Sequence, residues 1–97
     1  MNEFFERLGR HWVAAAARRD ATIAAPALDS QVALELLELA RVAAHTRERR
    51  FAPLSCYLAG VAAERLRSAK AGTDDAAVAR FIEEVRQALE AEAPAGT

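Results

Sequence analysis

Little in this chain invites covalent chemistry: among 97 residues there is one cysteine, one tryptophan, one tyrosine, four glycines and three prolines. A lone Cys56 cannot form an intrachain disulfide, which excludes the disulfide-framed scaffold of small secreted proteins. Nor is there a surplus of charge. Thirteen Lys and Arg stand against fourteen Asp and Glu, a formal net charge of -1. That balance gives no electrostatic basis for binding nucleic acid or an acidic membrane, partners that draw on a clear basic excess. No apolar run approaches the roughly 18 residues a membrane span needs. The opening Met1–Arg7 lacks the basic start and apolar core of a signal peptide. A cytoplasmic location is expected.

What is present is an alanine-rich, 53% hydrophobic sequence, enough for one packed core and too short for two. One domain over 1–97 is expected, with 93–97 as a frayed tail. Because alanine buries little area, the core should lean on Phe4, Phe5, Trp12, Tyr57, Phe81 and the leucines.

Four segments carry the 3.6-residue period and none alternates as a strand would. The first helix is expected near 3–19, with Phe5, Leu8, Trp12 and Ala15/Ala16 on one side and Gly9 admitting another backbone. Residues 20–29 break the pattern at Pro26 and read as a connector pinned by Ile23 and Leu28. Asp29 or Ser30 then caps a second helix near 30–49. Its stripe is Val32, Leu36, Leu39, Ala40 and Ala43, widened by Ala33, Leu37 and Ala44, and Val42 falls with Arg41 on the polar side. Pro53 suits the first position of a third helix near 53–69. Leu54, Tyr57, Leu58, Val61 and Ala62 are expected inward, with Cys56, Gly60 and Ala63 as a second face for a close helix neighbour. Gly72 ends that helix. Thr73, Asp74 and Asp75 open a fourth near 74–92, whose stripe is Val78, Phe81, Ile82, Val85 and Leu89. Short loops favour antiparallel neighbours, so the fold class is all-α, a compact four-helix bundle.

Catalytic constellations are hard to find. His11 and His45 lie on different helices without the ligand spacing of a metal centre, and no phosphate loop follows a strand. Asp74/Asp75 and Glu83/Glu84 are adjacent, so their side chains point apart on a helix. Cys56 reads as a packing residue. Neither enzyme activity, a metal nor a cofactor is expected.

One stretch stands out. His45, Arg47, Arg49 and Arg50 crowd a helix-to-helix corner, followed by Pro53, Ser55 and a helix N-terminus whose N–H groups favour anions. His45 and Arg49, one turn apart, could grip one group. The plain alternative is that these bases complement the C-terminal dipole of the second helix.

The run Leu36–His45, Glu48-Arg49, Ala52-Pro53-Leu54-Ser55 and Leu58-Ala59-Gly60 resembles a small bacterial helical domain family of unknown function. That family occurs alone or fused behind a molybdenum cofactor guanylyltransferase. The likeness extends over most of 28–90, with Asp75–Val78 and Val85-Arg86 in a similar layout. Ser55 and Cys56 stand where the family usually has two threonines, Glu64 replaces a small residue, and Arg50-Phe51 replace Pro-Ala. The resemblance implies an accessory role near molybdenum cofactor maturation or molybdoenzymes. Two readings therefore lead. One is a non-catalytic accessory or binding module, using His45, Arg49, Arg50, Pro53 and Ser55 to hold an anionic ligand or a protein partner. The other is a structural or self-associating module without a ligand. A protein partner or self-association is expected, without nucleic acid or membrane.

Overall fold

Asn2, Asp29 and Asp74 each begin a helix for the same reason: a short side-chain oxygen accepts from backbone N–H groups that have no partner inside the helix. Asn2 Oδ1 accepts from Phe5 N at 3.2 Å. The Asp29 carboxylate accepts from Gln31 N and Val32 N at 2.9 and 3.1 Å. Asp74 Oδ1 accepts from Ala77 N at 2.9 Å. In the computed structural model, which describes residues 2–92, these caps open α1 (Glu3–Ala17), α2 (Ser30–Thr46) and α4 (Asp75–Glu92). The remaining helix, α3 (Phe51–Ala69), has no side-chain cap. No strand occurs among the described residues, so the chain has the expected all-α fold of four helices, of which α2, α3 and α4 pack together. The expected frayed tail, 93–97, lies outside the described residues.

Four boundaries differ from expectation: α3 begins at Phe51 rather than 53 and α4 at Asp75 rather than 74, and two helices end early. α1 stops at Ala17, where Asp20 adopts a left-handed φ of 61° and Ala21 N–H turns back to Ala16 O at 2.9 Å. Aspartate is among the few residues besides glycine that visit that region routinely. α2 stops at Thr46, not Arg49. Thr46 Oγ1 donates to Val42 O at 2.7 Å, and Arg47 leaves the helical region at φ -133°, ψ -101°. Pro53 rules out one continuous helix through the corner, because its ring would collide with the carbonyl of Arg49, but the stop at Thr46 comes earlier than that clash requires. The chain turns instead, and Pro53 becomes the third residue of α3, still within the first turn where a missing N–H is harmless.

Packing centres on α2, which lies against both α3 and α4, whereas α3 and α4 meet at few positions. The buried core is Leu39, Val42, Ala43, Ala63, Val78, Ala79 and Ile82. Val42, assigned by pattern to the polar side, is the most buried of these at 2% exposed. On α3 the expected orientation is turned. Ala63 is buried, Cys56 and Ala59 are partly so, and Leu54, Tyr57 and Leu58 face outward. Small residues let the α2 and α3 backbones come close, and that gain in packing outweighs hiding the larger side chains. Cys56 Sγ lies 3.6 Å from Leu36 O across this contact. Burial pushes the Cys56 thiol up, away from thiolate chemistry. Gly60 meets nothing within 4 Å, so Cys56, Gly60 and Ala63 do not share one helix neighbour.

α1 makes no close backbone approach to the other helices. It lies against its own connector: a Cβ on the buried Gly9 would sit 3.3 Å from Pro26 O, the close backbone contact expected there. The expected core residues Phe5, Leu8 and Trp12 are exposed, as is Ile23, while Leu28 is partly buried.

Charge fixes α4 in place. Arg86, partly buried, reaches Glu35 on α2 at 3.3 Å and Glu90 at 2.8 Å, and Arg41 reaches Glu38 at 3.0 Å and Glu90 at 3.4 Å. At the other end Arg67 donates to Thr73 O at 2.9 Å and pairs with Asp75 at 2.7 Å, closing the loop before α4. The Arg86 hydrogen bond, then that of Arg41, holds Glu90 below the ordinary glutamate value of 4.5. A carboxyl whose folded value is depressed stabilises the fold fully above its unfolded value. It loses that contribution as pH falls through the lower, folded one. Melting temperature followed against pH should therefore drop below about pH 4.5. Glu90→Gln should flatten part of that fall; an unchanged profile would show that the ladder is not coupled to folding.

Candidate partner-binding site

The corner between α2 and α3 is built from a turn. Phe51 N–H donates to Glu48 O at 3.0 Å and Ala52 N–H to Arg49 O at 3.1 Å. Pro53 has no N–H, so the N-terminal donors expected to attract an anion are already engaged or missing. His45 sits on the last turn of α2 and is exposed; Arg47, Arg49 and Arg50 follow it, all exposed. Because α2 ends at Thr46, His45 and Arg49 do not share a helical face, which corrects the one-turn grip expected from their spacing.

Among the described residues Arg49 has no carboxylate partner, whereas Arg50 pairs with Glu48 at 2.9 Å. Glu48, Arg49, Arg50 and Pro53 line one shallow depression. Ser55 belongs elsewhere: partly buried, it helps line a groove between α3 and α4. Of the five site residues expected from sequence, the structure brings Arg49, Arg50 and Pro53 together, with His45 behind them and Ser55 on another surface.

Beside the corner runs the outer face of α3. Leu54 and Tyr57, three residues apart, are 61% and 72% exposed. Further along, Tyr57, Gly60, Val61, Glu64 and Arg65 border a broad, shallow depression. Hydropathy alone hides this face, because it sends Leu54 and Tyr57 to the core, whereas both are exposed. The available signal was the alanine row opposite them. Residues 6–97 match the sequence profile of a domain of unknown function (DUF6457).

The chain belongs to that family. No curated protein and no solved structure matches it. The DUF6457 match takes in nearly all of α1 and the whole of the corner, α3 and α4. Within this DUF6457 domain, the described residues hold no group of three His, Cys, Asp or Glu side chains placed to share a metal ion. No helix among the described residues is long and apolar enough to cross a membrane.

Proposed function

We propose that this chain is a non-catalytic accessory module that works by binding a protein partner. One observation carries the reading: α3 turns its alanines to the core and leaves Leu54 and Tyr57 outside, next to a corner of exposed arginines. Apolar anchors flanked by arginine are the composition of binding hot spots, where Tyr and Arg are over-represented. The charge at the corner selects an acidic surface and speeds the encounter. The resemblance to domains fused behind a molybdenum cofactor guanylyltransferase supplies a candidate for that partner and a cytoplasmic setting for the pair.

The test is calorimetric titration of the full chain with a molybdenum cofactor guanylyltransferase from the same cells. Saturable binding is expected, weakened roughly thirtyfold by Tyr57→Ala, the size of a hot-spot loss of about 2 kcal/mol. Arg49→Glu should slow association and remove its salt dependence. No binding at high concentration, or binding indifferent to both variants, defeats this proposal.

A further inference from the structure

The three helices α2, α3 and α4 form a bundle with a place left open. Between α3 and α4 lies a groove of about 260 Å³, floored by Leu39 of α2 and walled by Leu58, Phe81, Val85 and Leu89. Its walls are wet: Leu58 is 64% exposed, and Val85 and Leu89 are exposed as well. On α1 the row Phe4, Leu8 and Trp12, spaced by four residues, is likewise uncovered, with Phe4 and Trp12 each 55% exposed. The chain thus holds an empty slot for a helix and an amphipathic helix without a slot.

We infer that the groove is filled by α1 of a second copy of this chain, giving a reciprocal dimer in which each protomer lends its first helix to the other. Two lines support the fit. Phe4 and Trp12 each have about half of their surface left to bury. Two exchanged helices against matching walls therefore cover an area on the order of 1,000 Å², the lower end for a specific interface. Finally, the radius of gyration is 15.2 Å, above the roughly 13 Å of a fully packed chain of this length, and the longest extent is 49 Å. The excess follows from an α1 that stays clear of its own core.

A second copy is favoured because the chain's own α1 stands clear of the groove, making no close approach to α3 or α4. Exchange of one element between identical chains is a low-cost route to a dimer, because the contacts formed are those a closed monomer would use. This interface uses Leu58 of α3 but neither Leu54, Tyr57 nor the arginine corner, so Tyr57→Ala and Arg49→Glu test the partner surface while Val85→Glu and Leu8→Glu test the dimer.

Trp12 is the only tryptophan and serves as the reporter. Light scattering of the full chain should give about twice the 10.5 kDa protomer mass. On dilution, Trp12 emission should move to the red as the dimer parts. Val85→Glu, on a different helix from the reporter, should yield a folded monomer with red-shifted emission at all concentrations. Leu8→Glu should do the same from the other side. Circular dichroism of both variants keeps the test valid by showing that helix content is retained. A monomer at 100 µM or more overturns the inference. So does a dimer that survives both substitutions, or a blue-shifted Trp12 that is independent of concentration, which would mean docking within one chain.

Discussion

Ile82→Ala should destabilise the fold by about 3 kcal/mol, within the 2–5 kcal/mol typical when a buried isoleucine is cut to alanine. Ile82 is 4% exposed and packs with Leu39, Ala63 and Val78 where α2, α3 and α4 meet. The surroundings cannot collapse into the space it leaves. Ala63 is too short to reach in, and α4 is held at its distance from α2 by Arg86 and Glu90. A large share of total stability would go, since small domains hold only about 5–15 kcal/mol in all. Urea titration is the measurement, with a lowered midpoint and an unchanged slope as the expected result. Leu37→Ala is the control on α2: Leu37 is 66% exposed, and a shift beyond about 0.5 kcal/mol there would contradict its placement outside the core.

Val42→Asp should be harsher. Among the described residues this site is the most buried, and none of the buried ones is polar or charged to share the load. An unpaired carboxylate there either unfolds the protein at pH 7 or stays protonated, so a loss of about 3–5 kcal/mol is expected. The pH dependence gives the distinctive sign. A carboxyl raised in the folded state binds its proton more tightly there than in the unfolded chain. The variant should regain stability as pH falls from 7 towards 5, above the window in which Glu90 begins to lose its contribution. Thermal melts at pH 5 and pH 7 measure it. A variant as stable as the parent at pH 7 would mean that Val42 is not in the core.

The helices were legible because their signals are local. Asn2, Asp29 and Asp74 announce helix starts through side chains that reach only two or three residues along the chain. Orientation was not, because it depends on partners distant in sequence. Both faces of α3 are apolar, and hydropathy favours the larger residues for the interior. The close approach of α2 favoured the smaller ones instead, so Ala59 and Ala63 went in and Leu54, Tyr57 and Leu58 went out. Val42 shows the same limit: the pattern groups it with its neighbour Arg41 on the polar stripe, yet it is 2% exposed. The end of α2 is only partly legible. Pro53 forbids a helix continuous through the corner, yet a helix ending at Arg49 meets that constraint. The break at Arg47 that separates His45 from Arg49 shows only in the structure. The basic corner was located correctly as a cluster of charge, and only its turn geometry shows that the helix donors beside it are already used.

The two pins on α4 bear on how the groove can be occupied. Arg67 ties the start of α4 to α3 and its loop, and Arg86 and Glu90 tie its far end to α2. Held at both ends, the slot stands ready-made, and its walls give up little freedom when something enters. The entropic penalty of assembly falls instead on the incoming segment, which must leave water and accept one orientation. Affinity at that slot is therefore governed by the stiffness of its guest, and any change that rigidifies the guest helix tightens the complex without touching the groove.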